Sequence, residues 1–123
     1  MKFFRCEHCG NIIAYVKDSR VNVVCCGQPM TEMKANTTDA SVEKHVPTFS
    51  VENNILTVTI GSVEHPMTTD HYIEWIAINT TYGNQRKMLM PNTAPTVKFA
   101  LMDGEEINNI FAYCNLHGLW SIK

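Results

Sequence analysis

All five cysteines and four of the five histidines of this chain sort into two sets of metal-binding side chains. Cys6, Cys9, Cys25 and Cys26 make one set near the N-terminus, and His45, His65, His71, Cys114 and His117 make the other, spread over the rest. Four thiolates form a closed tetrahedral site of the kind that holds zinc or iron. Four imidazoles and one thiolate are too many for a tetrahedron and suit a five-coordinate metal with one face open. A closed site beside an open one is the layout of a small redox enzyme.

The first set has the spacing C-x2-C-x15-C-C. In the Cys6-Glu7-His8-Cys9-Gly10 knuckle two thiolates bind one metal while backbone amides donate to the sulfurs. Cys25 and Cys26 are adjacent, and neighbours reach one metal only with a strained backbone, so a distorted tetrahedron is expected, with Gly27 and Gln28-Pro29 absorbing part of the strain. His8 exceeds the need for a fourth ligand and is expected in solvent. Zinc and iron fit this motif equally well. Having no open position, the site is expected not to bind substrate, and if it holds iron it can only pass electrons.

In the second set, placement matters more than any single histidine. His45 (Glu43-Lys44-His45-Val46-Pro47) and His65 (Glu64-His65-Pro66-Met67) lie in loop-like contexts, His71 opens a predicted strand, and Cys114-Asn115-Leu116-His117-Gly118 closes one. Four imidazoles in a plane with an axial thiolate leave an octahedral position vacant, which fits ferrous iron. The thiolate opposite that position pushes electron density through the metal, as in thiolate-ligated haem. Beside an open cationic metal, Lys44 can attract a small anion and Glu43 can ligate the oxidised metal. Away from such a metal, Glu43-Lys44 is an ordinary charged loop.

Composition bounds the rest. A net charge of -2 provides no broad basic footprint for nucleic acid and no polybasic membrane anchor. No stretch approaches the ~18 uninterrupted apolar residues of a membrane span. Met1 to Cys6 holds no apolar h-region, so a cytoplasmic location is expected, where clustered cysteines hold metal more often than disulfides. An odd cysteine count also argues against a disulfide framework.

The elements that must position these residues divide in two. Residues 1–36 are predicted as a small four-cysteine domain, with Ile12–Val16 and Val21–Val24 as short apolar runs around a hairpin turn at Asp18-Ser19-Arg20. So short a unit needs a metal or a partner subunit as a staple. Lys34 to Ala40 reads as a linker. Residues 37–123 are predicted as β throughout, with strands at Ile55–Ile60, Tyr72–Ile78, Arg86–Met90, Thr96–Met102 and Asn109–Cys114 and turns between them. That spacing argues for an antiparallel sandwich of immunoglobulin-like architecture. The fold class is all-β.

With both ligand sets in view, the chain closely resembles the desulfoferrodoxins, the two-iron superoxide reductases, over essentially its whole length. The resemblance rests on Cys6-x-x-Cys9…Cys25-Cys26, Glu43-Lys44-His45-Val46-Pro47, His65-Pro66-Met67, His71-Tyr72-Ile73-Glu74-Trp75-Ile76 and Cys114-Asn115-Leu116-His117-Gly118. It implies a desulforedoxin-like N-terminal domain, an immunoglobulin-like sandwich and a homodimer. It also implies a four-thiolate iron and a catalytic iron held by four histidines and one cysteine. The implied activity is one-electron reduction of superoxide to hydrogen peroxide in the cytoplasm, with Lys44 steering the anion, Glu43 closing the oxidised site, and a rubredoxin-like protein returning the electron. A superoxide dismutase, or a non-enzymatic electron carrier or zinc-stabilised binding module, is the competing reading.

Overall fold

A computed structural model describes all 123 residues, which divide into two compact units, Met1–Lys34 and Ala35–Lys123. No helix is long and apolar enough to cross a membrane.

The smaller unit buries few side chains: Phe3, Cys6 and Met30. Strand β1 (Phe3–Arg5) pairs antiparallel with β2 (Ile12–Ala14) on one side and β5 (Thr31–Glu32) on the other, while β3 (Val24–Cys25) and β4 (Gln28–Pro29) form a separate hairpin. Asp18 and Arg20 do form a turn, in which the Arg20 N–H donates to Asp18 Oδ1 at 2.8 Å. It does not join two arms of a hairpin, however, because β2 pairs with β1 and Val21 and Val23 are exposed. The reason is topological: the apolar run at residue 12 serves β1, and the one at residue 24 must carry Cys25 and Cys26 back to the knuckle. With so little apolar surface buried, the four-cysteine cluster is left as the staple of this unit.

Alternation builds the larger unit. In β7 (Ile55–Ile60), Leu56, Val58 and Ile60 point inward, while the Thr59 hydroxyl meets that of Thr96 at 3.0 Å. This strand is the centre of a three-stranded sheet of order β10-β7-β6, flanked by β6 (Pro47–Glu52) and β10 (Thr96–Ala100). The facing sheet has the order β12-β11-β8-β9, with β8 (Ile73–Thr80), β9 (Gly83–Met88), β11 (Ile107–Cys114) and β12 (Gly118–Ile122), all antiparallel. Ile76 and Ile78 of β8, Ile110, Ala112 and Cys114 of β11 and Phe99 of β10 complete one core with the β7 residues. One open side of the sandwich is bridged by side chains, with Gln85 donating to the Ala100 carbonyl at 3.1 Å and Lys87 to that of Lys98. Such bridging blunts the β10 edge against pairing with other chains.

The β reading of this unit needs one amendment. Val42–His45 forms a single helical turn, α1, closed by the Val46 N–H donating to the Val42 carbonyl at 3.0 Å. Together with the loop between β7 and β8 and the turn between β11 and β12, α1 lies at one end of the sandwich, and these three segments carry the second ligand set.

Candidate metal centres

In the smaller unit Cys6, Cys9, Cys25 and Cys26 converge, their sulfurs within 4.8 Å of one another. The knuckle is locked by its backbone: Cys6 N–H donates to the Asn11 carbonyl at 2.8 Å and Gly10 N–H to that of Cys6 at 2.9 Å. Cys9 N–H points at Cys6 Sγ from 3.4 Å. Across from it, Cys26 and Gly27 both take left-handed backbone (φ 53° and 74°), the signature of a tight two-residue hairpin. A cysteine pays a steric cost there that glycine does not, so the strain expected of adjacent ligands is present. His8 is exposed. The Cys9 N–H holds the Cys6 thiol down at about 6, whereas sulfurs of Cys9 and Cys6 push Cys26 up to about 12. With Cys25 and Cys26 both pushed up by the neighbouring sulfurs, a thiophilic cation is what allows them to bind as thiolates.

At the end of the sandwich, donor atoms of His45, His65, His71 and Cys114 also lie within 4.8 Å of one another. His117 joins them through Nδ1, 3.0 Å from His45 Nε2 and 3.8 Å from Cys114 Sγ. Each donor arrives on a different support. His45 ends α1, and its Nδ1 meets the Ser41 carbonyl at 2.6 Å; His65 Nδ1 meets the Pro66 carbonyl at the same distance. Those carbonyls select the tautomer that leaves Nε2 a bare lone pair. Cys114 ends β11 at a register shift after Tyr113, and it is fully buried. Irregularity of this kind re-aims a side chain at a strand end.

The site is built for a metal it must otherwise do without. Nε2 of His65 and of His71 are buried with no hydrogen-bond partner, an arrangement that native proteins avoid unless an ion or water completes it. Burial lowers the pKa of His45, His65 and His71, His65 to about 4, and the Lys44 charge works in the same direction on His45 and His71. All three are therefore neutral donors at physiological pH. Burial pushes the Cys114 thiol up, partly offset by the N–H groups of Leu116 and His117, so its thiolate also requires a cation. Nitrogen and sulfur donors of this mix suit iron or zinc rather than magnesium or calcium.

One pH dependence follows. Since His65 is protonated near 4 in the folded chain and near 6.5 when unfolded, the unfolded state takes up the proton first as pH falls. Metal-free protein is thus expected to keep its full stability above pH 6.5 and to lose roughly 3 kcal/mol from His65 alone between 6.5 and 4. Denaturant melts of the apoprotein across that window check it; a flat profile would mean that His65 is accessible to protons when folded.

Glu43 and Lys44 are exposed and form no ion pair. Their backbone, in contrast, is fixed. The Glu43 carbonyl accepts from Val63 N–H at 3.0 Å and the Ser62 hydroxyl at 3.3 Å, and Gly61 packs so closely that a Cβ there would fall within 3.0 Å of the carbonyls of Glu43, Lys44 and Val63. Glu43 also lines a cavity of about 330 Å³ with Val42, Val46, Pro47, Thr48, Ser62 and Ile122.

Several supporting residues went unread in the sequence. Trp120 stacks on His45 (centroids 4.8 Å apart, 26° between planes), and its Nε1–H donates to the His117 carbonyl at 3.1 Å. Asn115 and Thr68 hydrogen-bond around His71. Only the position of Asn115 inside C-x-x-H marked it out, and nothing local marked Trp120.

The chain matches known proteins along its whole length. Residues 37–123 match the desulfoferrodoxin family model, and residues 1–33 match the desulfoferrodoxin N-terminal domain model. A desulfoferrodoxin homolog of Archaeoglobus fulgidus is 45% identical, with 98% of this chain and 94% of that one covered. The desulfoferrodoxin of Nitratidesulfovibrio vulgaris is 40% identical over 99% of this chain and 95% of its own. Among solved structures, the superoxide reductase of Treponema pallidum superposes with a TM-score of 0.82 at 35% identity, covering 99% of this chain and 98% of that one. With matches to both domain models and near-complete coverage at these identities, the chain belongs to the desulfoferrodoxin family, the two-domain superoxide reductases.

Proposed function

We propose that this protein reduces superoxide to hydrogen peroxide, with one electron and two protons consumed per superoxide, at an iron held by His45, His65, His71, His117 and Cys114. The observation that carries this reading is the convergence of those donors with two buried Nε2 atoms left unpartnered. Ferrous iron held by these residues would supply the electron, and the Cys114 thiolate would raise its reducing power. Everything else is the work of the chain. The Ser41 and Pro66 carbonyls hold His45 and His65 in the ligating tautomer. Lys44, exposed and unpaired, draws in the anionic substrate and hydrogen-bonds to it. Glu43, exposed beside Lys44, would offer a carboxylate ligand to the oxidised iron.

Cys6, Cys9, Cys25 and Cys26 hold a second iron in this reading, a closed centre that staples the small unit and passes electrons only; zinc there would remove the second role. Five cysteines with no disulfide among them suit a reducing compartment such as the cytoplasm. Family membership supports a homodimer and a small rubredoxin-like donor.

Lys44→Ala is the direct test of substrate capture. Its second-order rate with superoxide is expected to fall roughly tenfold or more at low salt and to lose most of its ionic-strength dependence. Pulse radiolysis of pre-reduced protein measures both, and an unchanged rate with an unchanged salt slope would remove Lys44 from the mechanism.

A further inference from the structure

We propose that Asn115 is a positioning residue that aims His71 into the metal site by gripping the backbone on both sides of that histidine. The inference rests on the reading of His71 as a ligand given above and adds a residue that acts through it.

Three imidazoles present Nε2 to the site, and they are not held alike. His45 and His65 each anchor the far side of the ring, Nδ1, on a carbonyl at 2.6 Å. No carbonyl or side chain accepts from the His71 ring, which is only half-buried. With its ring unanchored, the aim of His71 depends on where its backbone is held.

Two sets of hydrogen bonds hold that backbone. The first is local: Thr68 N–H and the Thr68 hydroxyl donate to the His71 carbonyl at 2.9 and 3.2 Å, and His71 N–H donates back to the same hydroxyl at 3.1 Å. These bonds shape the loop but tie it only to itself. The second set comes from Asn115. Its Oδ1 accepts from Tyr72 N–H at 2.9 Å, its Nδ2 donates to the Asp70 carbonyl at 2.9 Å, and its own N–H donates to the Tyr72 carbonyl at 3.2 Å. The two side-chain bonds bracket His71, one residue before it and one after.

Asn115 is also the residue that follows Cys114 and precedes His117 by two. The bracket therefore fixes the His71 segment against the turn that supplies two other donors. Regular strand pairing does not do this. The β8–β11 ladder ends at Cys114 and Ile73, after its register has slipped at Tyr113. Beyond that point the asparagine side chain imitates a strand, with an acceptor for one N–H and a donor for one carbonyl on the same segment. Carboxamide chemistry is required: aspartate keeps the acceptor alone, and alanine keeps neither. Asn115 is half-buried and outside the hydrophobic core, so water can replace its bonds when the fold alone is at stake.

The test compares full-length wild type, Asn115→Ala and Asn115→Asp. Release of iron from the histidine–cysteine site to a ferrous chelator is expected to be roughly 10–100-fold faster for Asn115→Ala, the usual range for losing an outer-shell partner. It should be several-fold faster for Asn115→Asp, with a shifted thiolate-to-iron absorption band in both. Release from the four-cysteine centre should not change. In the metal-free protein, amide exchange at Tyr72 should accelerate in Asn115→Ala and stay near the wild-type rate in Asn115→Asp, which keeps the acceptor for that N–H, while that of Val58 and Ile60 in the core stays at the wild-type rate in both. Wild-type release in both variants, or wild-type Tyr72 exchange in Asn115→Ala, would overturn the inference. So would core exchange that rises in step with Tyr72, since Asn115 would then serve the fold generally. If Asn115→Ala does not fold, Asn115→Asp, nearly identical in shape, carries the release comparison on its own, through the lost bond to the Asp70 carbonyl. Failure of the iron assignment itself would show separately, as wild type with no iron in this site, and the metal-free exchange result does not depend on it.

Discussion

Cys114→Ser is expected to abolish superoxide reduction while leaving the protein folded and the four-cysteine centre spectroscopically unchanged. Serine has almost the shape of cysteine, and Cys114 lies fully buried in the core cluster at the end of β11, so packing is nearly preserved. The added hydroxyl costs about 1–3 kcal/mol if it finds no partner there. The chemistry, by contrast, loses its only anionic donor. A serine hydroxyl beside the Leu116 and His117 N–H groups does not ionise as the thiol does, and the site becomes a set of neutral imidazoles. The rate with superoxide should fall by well over the roughly 10–100-fold that follows removal of a mere outer-shell partner. Stopped-flow mixing of reduced protein with superoxide measures this, and a variant that keeps even a tenth of the wild-type rate would mean that the thiolate is not central.

Trp120→Ala carries the largest expected cost in stability. Trp120 is 1% exposed and the first among the fully buried side chains by volume. It stacks on His45 and holds the His117 carbonyl, so a single ring braces donors that are 72 residues apart in sequence. Truncation of a buried tryptophan removes about 3–5 kcal/mol, a large share of the roughly 5–15 kcal/mol typical of a folded protein. Denaturant unfolding of the metal-free protein measures that loss. Trp120→Phe keeps the stack but not the hydrogen bond and should cost only about 1–2 kcal/mol beyond its smaller volume. A loss under about 1 kcal/mol for the alanine variant would show that the ring is not the brace its packing indicates.

How much of this was legible in the sequence depends on the kind of physics involved. The donor sets were, because sulfur and imidazole announce their chemistry by residue type, and both sets do converge. Strands β7, β8 and β11 were legible from alternation or unbroken apolar runs, since one or both of their faces are buried. Strand β6 was not: five of its six residues are exposed, so it carries no burial pattern. Strand β12 was hidden because it begins at Gly118, immediately after the last ligand. In four residues α1 is too short to show a helical period. The small unit misled for a different reason, as two apolar runs flanking a turn look like a hairpin whenever pairing is judged locally. Here convergence of Cys6 and Cys9 with Cys25 and Cys26 accompanies a different pairing. Trp120 and Asn115 were out of reach because the stacking of Trp120 on His45 and the bonds of Asn115 to Asp70 and Tyr72 reach residues 43 to 75 positions away.

The central claim is that the histidine–cysteine site reduces superoxide rather than dismutating it. Anaerobically reduced protein mixed with limiting superoxide, with peroxide and dioxygen followed together, decides the matter. Reduction requires one peroxide per superoxide, no dioxygen and matching oxidation of iron. Half as much peroxide accompanied by dioxygen would contradict it and make the site a dismutase.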